Sequence, residues 1–317
     1  MTPGFGPLGF GAAQLGNLRR VVSDDEATAG LQTAWDAGIR YFDTAPHYGL
    51  GLSERRLGGF LRQHPRDDYI VSTKVGRLLV PNPRYNGGRD ILNGFDVPDD
   101  AVREFDPSPD GIRRSVEASL ERMGIGRIDI LYLHDPEEYD LERGLREGLP
   151  ALAALRDEGL VSQIGVGVND AAVASRAVRE GDIDLVMIAG RWTLLDQSAA
   201  EELLPACAQH GVKIVAAGVY NSGLLSRPRP SEDAQYDYAD APPELVSRAC
   251  RIADVCESFG VDLPTAAVHF PSLAPEVATV VVGASHPDAV RQNVERMGVD
   301  VPDSLWTALR DEWLIAS

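Results

Sequence analysis

Residues 39–74 read IRYFDTAPHYGLGLSERRLGGFLRQHPRDDYIVSTK, and this stretch decides the fold class. It contains the apolar run Ile39–Asp43, a helix-period segment Ser53–Arg62 and a second apolar run, Tyr69–Lys74. Apolar runs without polar alternation are typical of strands that are buried on both faces of a parallel sheet. Two such strands joined by a helix predict a right-handed parallel crossover.

The same strand–helix unit repeats along the rest of the chain. The further predicted strands are Leu8–Ala12, Ile128–His134, Val161–Val168, Asp184–Ala189, Val212–Ala217 and Ala278–Val282. Eight such units over 317 residues predict an α/β protein, a (β/α)8 TIM barrel that forms a single domain over residues 1–317. A doubly wound open sheet is the alternative architecture.

Helix boundaries carry capping signals. Ser23 and Glu26 form a capping box ahead of Ala27–Ala37, and Ser108-Pro109 begins a helix that ends before Gly124. Other predicted helices are Leu149–Glu158, Ala171–Glu180, Ser198–His210, Pro243–Phe259 and Pro287–Met297. A last helix near Ser304–Ile315 has no strand after it, so we expect it to cap the barrel.

Two connections are unusually long: Gly76–Asp106 after strand three and Gly218–Pro242 after strand seven. Because both follow a strand, a barrel places them on its C-terminal face, where the active sites of such barrels are built. Loops of this length in a compact domain are usually functional or mobile.

Composition narrows the class of protein. The formal charge is −18, from 30 Lys+Arg against 48 Asp+Glu, and such an acidic surface repels nucleic acid and anionic headgroups. No apolar stretch is long enough to span a membrane, and the opening MTPGFGPLGFG does not resemble a signal peptide. The three cysteines form no CxxC, so we expect neither structural zinc nor a disulfide framework, and a cytoplasmic location. The oligomeric state stays open.

One motif in the first ten residues is misleading. Gly4-Phe-Gly6-Pro-Leu-Gly9 satisfies GxGxxG, but that dinucleotide fingerprint needs a strand before it and a helix that starts within it. Only three residues precede Gly4, and Pro7 interrupts the motif, so we interpret it as a glycine-rich entry to the first strand.

Ionisable side chains lie where consecutive strands end. Asp43 ends strand two with Tyr48 in the following loop, Lys74 ends strand three, and His134 ends strand four. Taken singly, each is more often a hydrogen-bonded structural residue than a catalyst. Because parallel strands end at the same face, four such groups together predict a site at the barrel mouth.

The segments DTAPHYGLGLSERRLG (43–58), STK (72–74) and LYLHDP (131–136) resemble the aldo-keto reductase superfamily. Their order and spacing agree with that family from about Leu8 to Met297. The resemblance implies that Tyr48 is the proton donor and acceptor, that Lys74 and Asp43 tune it, and that His134 orients the substrate oxygen.

The chemistry suits these residue types. A free tyrosine, with a pKa near 10, is too weak a base near neutral pH, and an adjacent ammonium favours the phenolate. Histidine can donate a hydrogen bond to a developing oxyanion. Nucleophilic catalysis is disfavoured because no Ser or Cys occupies a matching strand end, and a metal site because the six histidines are scattered.

The resemblance also implies a nicotinamide cofactor. Asn169 matches the residue that holds the carboxamide, whereas Gly167 and Val168 replace the usual serine. Tyr220 either replaces the family's stacking tyrosine or only lines its loop. The full set of implied cofactor contacts is Gly11, Asp43, Asn169, Tyr220, Asn221, Ser222, Gly223, Leu224, Gly283, Ser285, Gln292 and Asn293.

Segment 283–293 resembles the site that holds adenosine in that family, and its residues favour NAD, with NADP possible. Members of the family that prefer NADP carry a lysine before the serine and an arginine a few residues later, and such cations hold the 2′-phosphate. Here those positions are Ala284 and, with one residue deleted, Ala289 or its neighbours. Arg291 could reach the phosphate if the register is shifted.

The strings AGRWTLLDQ (189–197), YNSGLL (220–225) and HDPEE (134–138) resemble the aldose 1-dehydrogenase branch, which acts on sugars such as L-fucose and D-threo-aldoses. The resemblance implies oxidation of the anomeric carbon to a lactone, with His47, Arg191 and Trp192 as candidate sugar contacts. Core or rim packing is the competing interpretation of Trp192. Pyridoxal 4-dehydrogenase or a general aldehyde or ketone reductase is an alternative.

A function of another class is a cofactor-binding regulatory subunit of a membrane channel. The four catalytic-type residues do not distinguish this role from an enzyme. Because the barrel pattern begins within ten residues of Met1, we expect no partner-docking extension, and this expectation favours the enzyme.

Overall fold

The computed structural model describes residues 4–231, 233–237 and 239–316. At its centre, eight parallel strands close into a barrel in sequence order. The strands are β1 (Leu8–Gly11), β2 (Tyr41–Asp43), β3 (Ile70–Val75), β4 (Ile130–His134), β5 (Gln163–Val168), β6 (Leu185–Ala189), β7 (Lys213–Ala217) and β8 (Val277–Gly283). All eight predicted strands are present. The pairing of β1 with β8, Phe10 opposite Val282, closes the sheet and excludes the doubly wound alternative.

Helices surround the barrel. The longer ones are α1 (Asp24–Asp36), α2 (Leu52–Leu61), α3 (Pro109–Met123), α4 (Leu149–Asp157), α5 (Ala171–Glu180), α6 (Leu203–His210), α7 (Pro243–Ser258), α8 (Leu263–His269), α9 (Pro287–Met297) and α10 (Asp303–Asp311). The predicted serine caps form: Ser23 Oγ accepts from the Glu26 amide and Ser108 Oγ from the Gly111 amide, each at 3.1 Å. The Glu26 side chain of the predicted capping box pairs with Arg20 instead. Both bonds satisfy amides that the first helical turn leaves free.

Two helices differ from the sequence prediction. The segment predicted to be helical from Ser198 is a 3-10 turn over Ser198–Ala200, and α6 begins only at Leu203. Helix α8 was not predicted. Its Asp262 cap accepts from the Thr265 amide at 2.8 Å, but its seven residues are too few to give a helical period in the sequence.

The last helix, α10, packs against α7. Its buried Leu305, Trp306 and Leu309 join an apolar cluster with Leu194 and Leu195, which follow β6. The cluster contains no residue of the eight strands, so α10 covers α7 and the loops beside it and extends the outer layer.

Both long connections contain short hairpins. The connection after β3 forms antiparallel strands Arg77–Pro81 and Ala101–Phe105, and the one after β7 pairs Gln235–Tyr236 with Ala239–Asp240. Backbone pairing orders these strand segments within the connections that follow β3 and β7. Among residues 4–231, 233–237 and 239–316, no helix has the length and apolar composition that a bilayer crossing needs.

Candidate active site

The acidic and basic side chains predicted at the strand ends lie together. Lys74 Nζ donates to Asp43 Oδ2 at 2.7 Å and to the Thr44 carbonyl at 3.0 Å. The two charged residues are only 2% and 3% exposed. Lys74 Nζ also lies 5.0 Å from the centre of the Tyr48 ring. The barrel therefore places a buried ion pair directly beside the tyrosine.

Tyr48 is held by a backbone contact between two loops. A Cβ atom on Gly16 would lie 2.6 Å from the Tyr48 carbonyl carbon, and a Cβ on Gly49 would lie 2.2 Å from the Gly16 oxygen. Gly49 also has φ +61°, a conformation that disfavours residues with a side chain. The loop that carries Tyr48 therefore depends on glycine at both positions.

The ammonium form of Lys74 is favoured despite its burial. Burial opposes the ammonium form of Lys74, but the charges of Asp43 and of ionised Tyr48, with their hydrogen bonds, outweigh it and raise the pKa of Lys74. Ser72 Oγ donates to the second Asp43 oxygen at 2.7 Å. Each carboxylate oxygen thus has a donor, which a buried carboxylate requires.

His134 is neutral. Burial lowers its pKa well below the usual range, and the positive charges of Arg77 and Lys74 lower it further. Its ring is perpendicular to the Tyr48 ring, with 6.0 Å between the ring centres. Nδ1 is buried and forms no hydrogen bond with any described residue. The other ring nitrogen, Nε2, lies 3.3 Å from Asp135 Oδ2.

The loop after β3 contributes three residues that sequence reasoning missed. Arg77 Nη2 donates to Asp135 Oδ2 at 2.6 Å, beside His134. Arg103 Nε donates to His47 Nδ1 at 2.6 Å, and Arg103 Nη1 donates to Asp90 Oδ1 at 2.9 Å. The only signal in the sequence was the length of this loop and its position after a strand.

The residues implied to hold the cofactor come from separate strand ends. Gly11 is opposite Asp43 on one side and Gly283 on the other in the barrel register. Asn169 follows the end of β5 and is exposed, so its amide is free to face a ligand such as a carboxamide. Tyr220 Oη donates to Asn293 Oδ1 at 2.9 Å, which joins the loop after β7 to α9.

The loop after β7 has an unusual backbone conformation, with positive φ angles at three consecutive residues. Asn221 and Ser222 have φ of 43° and 56°, and Gly223 has φ of 102°. Asn221 Oδ1 is buried without a hydrogen-bond partner among the described residues, whereas Leu224 packs in the apolar cluster with α10. Strained loops with unused buried polar atoms are typical of ligand sites, so this segment fits a polar cofactor.

A cation from outside segment 283–293, which we predict to hold the adenosine, contacts that segment in the structure. Arg20, from the β1–α1 connection, donates from Nη2 to the buried Ser285 Oγ at 2.8 Å and pairs with Glu26. Arg291 instead pairs with Asp288 at 2.9 Å on the exposed face of α9. Gln292, next to it, is also exposed.

Arg191 and Trp192 make contacts within the protein. Arg191 Nε donates to the Asn169 carbonyl at 2.7 Å, and its guanidinium pairs with Asp196 and Asp237. Trp192 Nε1 donates to the Pro271 carbonyl at 3.0 Å. These contacts favour loop bracing for Arg191 and the packing interpretation of Trp192.

The fold and the site define a class of protein: a (β/α)8 barrel with a buried Lys74–Asp43 ion pair, Tyr48 and His134 gathered at the C-terminal ends of its strands. The profile of the aldo/keto reductase family matches residues 7–312, and the chain belongs to this family. It is therefore an oxidoreductase, and aldo-keto reductases use NAD(P)H.

Named relatives support this assignment. The chain is 54% identical to a D-threo-aldose 1-dehydrogenase from a Pseudomonas species, over 97% of this chain and 94% of the relative. It is 40% identical to a pyridoxal 4-dehydrogenase from Microbacterium luteolum, over 98% and 94% of the two chains. The holo form of an aldo-keto reductase from Bacillus halodurans superposes with TM-score 0.73 at 25% identity and covers 98% of this chain and 92% of its own. These comparisons do not support the channel-subunit alternative.

Proposed function

We propose that this protein oxidises the anomeric carbon of an aldose to the lactone with NAD, with Tyr48 as the general acid and base. The observation that carries the acid–base assignment is the buried Lys74–Asp43 pair beside Tyr48. The substrate class is supported by the 54% identity to a protein named for D-threo-aldose oxidation.

Oxidation of a hemiacetal carbon removes a hydride from carbon and a proton from its hydroxyl. The nicotinamide, when bound, supplies the hydride acceptor, and the exposed Asn169 amide is the candidate holder of its carboxamide. Tyr48 takes the proton, because the Lys74 ammonium stabilises its phenolate. Asp43 keeps Lys74 charged and in place. Neutral His134 orients the substrate oxygen with a ring N–H.

A substrate screen tests this proposal. L-Fucose, D-arabinose, D-glucose and pyridoxal are each incubated with NAD, and NADH is followed by its absorbance. We expect turnover of L-fucose and D-arabinose, with a lactone product that hydroxylamine traps as its hydroxamate. Turnover of pyridoxal alone would favour the second candidate, pyridoxal 4-dehydrogenase, which the 40% identical relative supports.

Cofactor preference is a separate prediction. We expect kcat/KM to favour NAD over NADP by at least about tenfold, since a 2′-phosphate would lack the charge-assisted hydrogen bonds worth about 1.5–3 kcal/mol each. Ala284 offers no cation, and Arg20 is already paired with Glu26, whose carboxylate repels a phosphate. NAD needs only neutral hydrogen bonds at its ribose.

Variants at Glu26, Arg20 and Arg291 test which side chains determine the preference between NAD and NADP. Glu26→Gln releases Arg20 and is expected to raise kcat/KM for NADP, whereas Arg291→Ala is the control that leaves the ratio unchanged because Asp288 holds Arg291. A wild-type preference for NADP that Arg20→Ala abolishes would contradict the prediction and assign the phosphate to Arg20.

A further inference from the structure

His47 lies in the wall of the site beside the two residues that we assign to the reacting oxygen. Its ring centre is 6.1 Å from that of Tyr48 and 5.6 Å from that of His134. Phe95 packs edge-on against it at 5.3 Å and limits rotation of the imidazole. His47 is therefore placed to contact a part of the substrate close to the reacting carbon.

Arg103 determines which ring nitrogen of His47 carries the hydrogen. A guanidinium can only donate, so the 2.6 Å contact from Arg103 Nε requires a lone pair on His47 Nδ1. Arg77 Nη1 is 3.5 Å from the same nitrogen. The hydrogen of the neutral imidazole must then be on Nε2, and among the described residues none forms a hydrogen bond with Nε2.

Arg103 is itself fixed. Its Nη1 and Nη2 both donate to the Asp90 carboxylate, and Nη2 also donates to the His47 carbonyl at 2.9 Å. The Arg103 and Asp90 side chains are 8% and 6% exposed. A buried ion pair costs desolvation and is weak evidence for stability, so its value here is in holding His47.

The surroundings of His47 favour its neutral form. Burial lowers the pKa of His47 to about 2, with the positive charges of Arg103, Arg77 and Lys74 acting in the same direction. The imidazole consequently stays neutral throughout the pH range in which the enzyme is assayed, and it presents an uncharged donor. An uncharged donor matches a neutral hydroxyl better than it matches a carboxylate or phosphate.

We propose that His47, held as the Nε2–H tautomer by Arg103, is a specificity-determining residue that donates a hydrogen bond to the hydroxyl on the carbon next to the reacting carbon. Arg103 is a positioning residue that acts through His47. The inference rests on the proposed function, in which Tyr48 and His134 bind the reacting oxygen, and it selects 2-hydroxy carbonyl compounds and aldoses over their 2-deoxy analogues.

Kinetics with matched substrates test the proposal. The pairs are L-fucose and 2-deoxy-L-fucose with NAD, and lactaldehyde and propanal with NADH. We expect His47→Leu to lower kcat/KM for each hydroxylated substrate about tenfold and to change that for its deoxy partner little, since one neutral hydrogen bond is lost. His47→Gln, whose amide can place a donor near the Nε2 position, should restore much of the discrimination.

Arg103 is tested through a double variant. Arg103→Met alone leaves Asp90 buried and unpaired, so Asp90→Asn is combined with it to keep the fold. We expect this double variant to lose the same discrimination with a higher KM for the hydroxylated substrates. Arg89→Met, which removes an exposed Arg89–Asp96 pair in the same loop, is the matched control and should behave as wild type.

The outcomes are distinct. Equal losses for hydroxylated and deoxy substrates in His47→Leu would overturn the proposal and leave His47 a structural role. Nitrogen-15 NMR that finds the hydrogen of the His47 ring on Nδ1 would overturn it as well, whatever the activity. If neither sugar is oxidised but lactaldehyde is still preferred to propanal through His47, the aldose assignment fails and the role of His47 stands.

Discussion

Tyr48→Phe is expected to lower kcat for every substrate by roughly 10²–10⁴-fold, the usual loss when a general acid or base is removed. Phenylalanine keeps the ring and its packing against Phe95 and His134 at 6.1 Å and 6.0 Å, so the site should retain its shape. Only the hydroxyl that exchanges the proton is lost. The measurement is steady-state turnover with NAD and with NADH in the two directions.

Cofactor binding separates loss of chemistry from loss of structure. Quenching of protein fluorescence by NADH should give a Kd within a few-fold of wild type for Tyr48→Phe, because the residues that we assign to the cofactor, apart from Asp43, belong to other strand ends. Turnover above a tenth of wild type would show that another group moves the proton. A large loss of NADH binding would place Tyr48 in the cofactor site instead.

The architecture could be predicted from the sequence because buried parallel strands can be recognised as continuous apolar runs. Strands such as Gln163–Val168 and Val277–Gly283 are covered on both faces, so their residues are almost all apolar. The positions of Asp43, Lys74 and His134 followed, since parallel strands that end in ionisable residues present them at one face. Helix α8 was missed because seven residues give no period.

The rest of the site depends on contacts between loops, which have no period at all. His47 and Arg103 are 56 positions apart, and Arg20 and Ser285 are 265 apart. The second pair meets only because β1 closes the barrel against β8. A search for a cation confined to the segment around Ser285 could not have found Arg20, whose side chain arrives from the opposite end of the chain.

Lys74→Met is expected to lower kcat by a similarly large factor, roughly 10²–10⁴-fold, and to move the pH–rate profile for oxidation to higher pH. The Lys74 ammonium favours the phenolate of Tyr48, so without it the phenol ionises only at higher pH. The measurement is kcat as a function of pH between 6 and 11. An unchanged profile would mean that Lys74 does not act on Tyr48.

Stability distinguishes this electrostatic role from simple damage to the fold. Because the pKa of Lys74 is raised in the folded protein, its ammonium stabilises the fold throughout the neutral range, and that contribution is lost only as the pH rises through the folded pKa. Removing Lys74 also leaves Asp43 buried without a counter-charge, which costs about 3–5 kcal/mol in the free energy of unfolding.

The double variant Lys74→Met with Asp43→Asn removes both charges and should recover most of that loss. It should remain as inactive as Lys74→Met, since no cation then faces Tyr48. If activity returned together with stability, the Lys74–Asp43 pair would be a structural ion pair, and the acid–base assignment would lose its main support.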